Sequence, residues 1–165
     1  MPSDVRQIAN AVLDAADRAG FPLTNMSLNK IVYFAHAWHL ARYSEPLIDS
    51  LFEAWQYGPV HPQLYRQLKH FGEAPISTRL TRIDLHTGAD VPVEVHLSET
   101  QIETIEQITL FYGRFPAWKL VEFSHRSGAP WDCVWSAAKY GPVPGMIIPD
   151  ELTESFYRKR LASKS

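Results

Sequence analysis

His36 and His39 stand three residues apart in a stretch with helical spacing, close enough to share a metal ion or an acid–base task. A metal site would need a third ligand, and a metalloprotease helix would need a Glu between or beside the pair, where none stands. The alternative is structural: His39 projects from the centre of an apolar stripe, where a neutral imidazole bonded to a buried carbonyl fits. His125, six residues before Trp131, could act as a general base. Its neighbours Arg126 and Ser127 offer no orienting carboxylate, so it is expected to tie down a loop. Cys133 lies amid Trp131, Val134 and Trp135 and is expected to be a buried, inert thiol. Walker, dinucleotide, nucleophile-elbow and zinc-ribbon signatures are absent from the sequence. No catalytic residue, cofactor-binding residue or metal ligand is therefore expected.

The elements that would position these side chains are mostly helical. Ser3 can cap a first helix whose apolar stripe runs through Val5, Ile8, Ala9, Val12, Leu13 and Ala16 to Gly20. A second helix, about residues 27–43, places Leu28, Ile31, Val32, Ala35 and His39 on one face. Tyr33, Ala37 and Leu40 fall on the opposite face, with Phe34 and Trp38 on the flank. A helix apolar nearly all round belongs in the middle of a domain.

Tyr57-Gly58-Pro59-Val60 reads as a turn, and Pro62 as the first residue of a short helix carrying Leu64, Tyr65 and Leu68 and stopped by Gly72. The convincing β signal is the alternation of Val91, Val93, Val95 and Leu97 with Pro92, Glu94 and His96. It predicts a small β-hairpin over about 79–97 with one buried and one wet face. Ser98 and Gln101 form a capping box for a helix ended by Gly113; Pro116, Pro130 and Pro149 each open a further helix. The repeat of Tyr57-Gly58-Pro59-Val60 as Tyr140-Gly141-Pro142-Val143 is best explained as repeated turn chemistry. The expected fold class is α+β, mainly α-helical: a single compact domain over 1–165 around the central buried helix.

Composition narrows the function classes. Of 165 residues, 45% are hydrophobic and 21% charged, and sixteen Lys plus Arg against eighteen Asp plus Glu give a formal charge of -2. A protein built to neutralise many phosphates needs a basic surplus, so nucleic-acid binding is not expected. No apolar run reaches the length of a membrane span, and charges interrupt the amino terminus. A lone cysteine rules out an internal disulfide. A cytoplasmic location is expected, and the Asn25-Met26-Ser27 sequon is read as a chance match. Five Trp residues exceed ordinary core needs, and an exposed subset would mark a partner surface.

Three blocks then point to a family. Pro22-Leu23-Thr24 with Leu28 to Leu40 and Pro46-Leu47, Phe52 to Val60 with Tyr65, and Ser124-His125 with Pro130-Trp131 together resemble the Panacea domain of SocA-like antitoxins, also known as phage-associated GepA-like proteins. The resemblance spans Ile8 to about Phe156 and is weakest around Leu80 to Val95.

The resemblance implies a non-catalytic antitoxin of a bacterial or phage type II toxin–antitoxin system that binds a cognate protein toxin directly. A protease adaptor, or a phage-derived interaction module with a non-toxin target, is the alternative. The partner is then a toxin, with a protease as a second partner class and self-association left open; no membrane partner is expected. The motif residues Lys30, Tyr33, His36, Trp38, His39, Trp55, Tyr57, Gly58, Pro59, His125 and Trp131 are assigned structural jobs. Tyr57-Gly58-Pro59 would fix a turn, Trp55 and Trp131 would fill space against the second helix, and Lys30 would bury its stem while keeping its charge wet. Specificity for the partner is placed on the hairpin and the carboxy-terminal helix.

Overall fold

The computed structural model describes residues 1–141 and 143–163. Its centre is the helix α2 (Asn25–Tyr43), on which every residue from Leu28 to Ala41 is buried. A helix this apolar has no wet face to offer, so the other elements must surround it. Its start is fixed by a capping box in which Thr24 Oγ1 accepts from the Ser27 N–H and Ser27 Oγ accepts from the Thr24 N–H. It ends at Ser44, which takes the left-handed conformation.

α1 (Val5–Ala19) and α4 (Glu99–Tyr112) pack against one another and against α2, and α7 (Asp150–Ser163) runs along another side of α2. α5 (Ala117–Ser124) and α3 (Pro62–Leu68) also pack on α2, and α6 (Pro130–Ala137) packs against α7. The fold is a mainly helical α+β arrangement with α2 at its core. Among the described residues, no helix is long and apolar enough to cross a membrane.

Four local expectations are corrected. The cap of α1 is Asp4, whose carboxylate accepts the Arg6 N–H at 2.8 Å; Ser3 instead bridges to Ile48. The segment Tyr57–Val60 is only partly a turn: β1 (Phe52–Trp55) and β2 (Gly58–Val60) pair antiparallel across Gln56-Tyr57, and β5 (Ile147–Ile148) joins the other edge of β1. Strands of two to four residues carry too few alternations to register as a period, which is why this sheet was not predicted. Pro59 is accommodated because β2 is an edge strand. The predicted hairpin exists as β3 (Thr81–Ile83) and β4 (Asp90–Pro92), but its valines are only half-buried, so it has no fully buried face. Cys133 is exposed, because its position on the short helix α6 turns it away from the side carrying Trp131 and Val134.

A polar residue inside the apolar stripe of α1 holds the β3–β4 hairpin. The buried Asn10 amide donates to the carbonyls of Leu80 (3.1 Å) and Val93 (2.9 Å), and its oxygen accepts the Leu80 N–H at 2.8 Å. One side chain thus replaces ladder bonds that a two-stranded sheet lacks at its end. The second Tyr-Gly-Pro-Val copy includes Pro142, which lies outside the described residues, so the repeat has no structural comparison.

Candidate binding site around Lys30

A cavity of about 640 Å³ opens between the first two turns of α2, the β1–β2 hairpin and α3. Its walls are Met26, Trp55, Tyr57, Val60, Tyr65 and Ala117, and Lys69 and Glu73 also line it. Trp55 and Tyr65 meet edge to face at 5.0 Å between ring centroids, which braces the aromatic wall. The volume is in the range of small-molecule sites, and aromatic and apolar side chains make most of the wall beside several polar ones.

The polar groups on the α2 side are unequally committed. Asn29 donates to the backbone and side-chain oxygens of Asn25 (3.1 and 2.8 Å) and accepts the His61 N–H at 3.0 Å. Asn25 donates in turn to the Tyr65 carbonyl at 3.3 Å. These amides hold α2 to the start of α3, and their i, i+4 spacing at a helix start was the sequence signal for it.

Lys30 is different. It is 1% exposed, and burial pushes its ammonium down to about 7 with no carboxylate or hydrogen bond to offset the loss of water. The expectation of a wet charge on a buried stem is therefore corrected. β2 and the end of α5 crowd Lys30 where it emerges from α2, so at the wall of the cavity its head keeps almost no contact with water.

Gly58 explains how the lysine fits. Its φ of +112° is open to glycine and strained for other residues, and a Cβ there would stand 2.6 Å from Ser124 Oγ and 2.8 Å from Lys30 Cε. The missing side chain is the space into which three motif blocks converge: Lys30 from α2, Gly58 from β2, and Ser124 with His125 from the end of α5. Ser124 Oγ donates to the Val121 carbonyl at 2.7 Å, while His125 Nε2 is buried without a hydrogen-bond partner. The His125 ring stacks on Trp131 at 3.7 Å, and its pKa is lowered by burial and then by the charge of Lys30. Trp131 donates through Nε1 to the Trp55 carbonyl at 2.6 Å, so the stack is tied to β1. The second and third blocks are thereby brought together with the start of the first.

The rest of the first block points elsewhere. His36 Nδ1 accepts the Ile48 N–H at 3.2 Å, so Nε2 carries the proton of the neutral ring and donates to Asp150 at 2.9 Å. His39 Nδ1 pairs with Thr104 Oγ1 at 3.1 Å. The two rings therefore face different partners, and among the described residues no three His, Cys, Asp or Glu converge as a metal site would require. Trp38 donates to the Tyr112 hydroxyl at 3.0 Å, and the Tyr33 ring packs edge to face on Phe52.

With this geometry in view, comparison with known proteins is decisive. The model of the SocA-like antitoxin Panacea domain matches residues 28–132, the span that carries the second and third blocks and the first from Leu28 onward. The chain belongs to the SocA-like Panacea family. Antitoxin SocA of Caulobacter vibrioides (strain NA1000 / CB15N) is 35% identical over 162 residues, covering 98% of this chain and 86% of that protein. No solved structure matches the chain. The Panacea match begins at Leu28 and ends at Asp132, so it takes in Lys30, Gly58, His125 and Trp131 but leaves out α1 and α7, which this chain uses to enclose α2.

Proposed function

We propose that this Panacea-domain protein is the cytoplasmic antitoxin of a bacterial or phage type II toxin–antitoxin pair, and that it neutralises a cognate toxin by direct protein–protein binding, without catalysis. The observation that carries this reading is the likeness to Antitoxin SocA over 98% of the chain. An antitoxin that masks its partner needs an exposed apolar surface, and the corner between α4 and α5 supplies one. Leu110, Phe111 and Trp118 stand exposed there, Trp118 at 66%. Arg114 lies over the rings of Phe111 and Phe115, and Lys119 over Trp118 and Phe123. Exposed aromatics beside Arg are the residue types that dominate binding energy at interfaces. This corner, in addition to the hairpin and the carboxy-terminal helix, is where the toxin is placed.

Co-expression with the product of the adjacent gene tests the reading. Growth should be arrested by that product alone and restored by this chain, and the two should co-purify. A Phe111→Ala/Trp118→Ala variant that keeps the wild-type melting temperature should lose both rescue and co-purification. A toxic neighbour that is neither bound nor neutralised by the wild-type chain would remove the proposal. Loss of the toxin from the cell in the presence of this chain, blocked by protease deletion, would identify delivery to proteolysis instead of masking.

A further inference from the structure

The cavity beside α2 has a feature that masking a toxin does not use: a lysine held under an aromatic chamber with nothing to pair with. Asn25 and Asn29 spend their amides on each other, on Tyr65 and on His61, so Lys30 is left as the uncommitted polar group on the α2 side. Thr24 and Asn25, at the start of α2, also line the chamber, and the positive end of that helix adds to the field of the lysine. An occupant must therefore bring one negative charge to Lys30 and an apolar body to Trp55, Tyr57 and Tyr65.

We propose that this chamber binds a small aromatic monocarboxylic acid, its carboxylate paired with Lys30 and its ring held by Trp55, Tyr57 and Tyr65. A phosphate is disfavoured because the second cation of the lining, Lys69, is accompanied by the carboxylate of Glu73 and the walls are mostly apolar, whereas phosphate sites gather several donors. A single Asp or Glu side chain would leave most of about 640 Å³ empty, a volume in the range of small-molecule sites. Pairing relieves the cost of an isolated buried ammonium, so much of the affinity comes from satisfying a charge already paid for by folding.

Binding should also move protons. Lys30 sits near neutrality when unpaired, and an adjacent carboxylate favours its charged form. The titratable and charged groups facing it are His125 from the end of α5, Tyr57 from the β1–β2 turn, Tyr65 from α3, and Lys69 and Glu73 beyond α3. Uptake that follows Lys30 is distinguished from these by its loss in Lys30→Met.

The experiment uses the full chain with indole-3-acetate and 3-phenylpropionate as probes, each beside its primary amide. Both acids should raise the melting temperature of the wild type at pH 7, and the uncharged amides should not. Calorimetry at pH 8 in two buffers of different ionisation enthalpy should register proton uptake on binding. Lys30→Met, a substitution of similar shape, should weaken acid binding by about tenfold or more. Equal binding of acids and amides by the wild type would overturn the proposal without reliance on any variant. So would unchanged binding by a folded Lys30→Met, or no shift with either acid at millimolar concentration. Toxin binding that disappears in Lys30→Met while neither acid binds would put a protein side chain in the chamber and equally overturn it.

Discussion

His36 on α2 donates through Nε2 to Oδ1 of Asp150 on the first turn of α7 at 2.9 Å. Its other ring nitrogen accepts the Ile48 N–H, so a single buried imidazole ties the core helix to the segment after it and to the last helix of the chain. The carboxylate also lies at the positive end of α7.

Asp150→Ala should therefore loosen α7 and cost about 1–3 kcal/mol, the penalty of leaving a buried donor without its acceptor. Urea denaturation measures the cost, and hydrogen exchange should show faster opening of α7 before α2. Asp150→Asn, which keeps an acceptor, should lose less.

Lys30 gives a stability that rises with pH. Its ordinary value of 10.5 falls to about 7 on folding, so between these values the unfolded chain holds more protons than the folded one. Raising the pH from 7 toward 10.5 should add up to about 1.4 kcal/mol of stability per pH unit from this group. The difference between wild type and Lys30→Met in urea denaturation isolates it. At pH 7 the variant should be the more stable of the two, because it buries no charge.

His61 acts in the opposite window. Burial lowers its ring to about 4, with Nε2 paired to Ser50 Oγ at 2.7 Å and Nδ1 enclosed without a partner. The unfolded chain takes up the proton first, so stability should fall as pH drops from 6.5 toward 4 by up to about 1.4 kcal/mol per pH unit. Thermal melts across that range, repeated on His61→Gln, should show the variant losing less.

Gly58→Ala meets two obstacles, a φ of +112° and a Cβ pressed against Ser124 Oγ and Lys30 Cε. Backbone strain and overpacking each cost about 1–3 kcal/mol. Adding Ser124→Gly should recover the part of the overpacking that is due to Ser124 Oγ and leave the part due to Lys30 Cε, and a double-mutant cycle in urea measures that coupling.

Cys133 is exposed on α6, so one equivalent of a disulfide reagent should react with the native chain as readily as with the denatured one. A thiol that reacts only after denaturation would return Cys133 to the interior.

Periodicity and cap chemistry are local, and the sequence carried them. The run from Leu28 to Leu40 has no polar stripe, which places α2 inside whatever surrounds it. Ser98 with Gln101 starts α4, and the prolines 62, 116, 130 and 149 mark helix starts or the residue before them. The three blocks that resemble the Panacea domain were legible in the same way, as strings of neighbours. The β2-β1-β5 sheet was not, because its strands are shorter than the period that reveals a strand, and β5 joins from the far end of the chain.

The chemistry of the blocks depended on contacts that no local pattern encodes. A lysine on an apolar helix reads the same whether its stem snorkels to water or its head is sealed. The cover over Lys30 comes from β2 and the end of α5, and Gly58 clears the space for its Cε. His36 is likewise a metal ligand or a strut according to what lies opposite it, and Asp150 lies 114 residues away. Sequence alone settled which segments are helical and which helix is enclosed, since side-chain period and caps act over a few residues. Tertiary structure alone decided which buried polar groups are satisfied and which, like Lys30, are left waiting, since a partner is supplied by whichever distant segment folds against it.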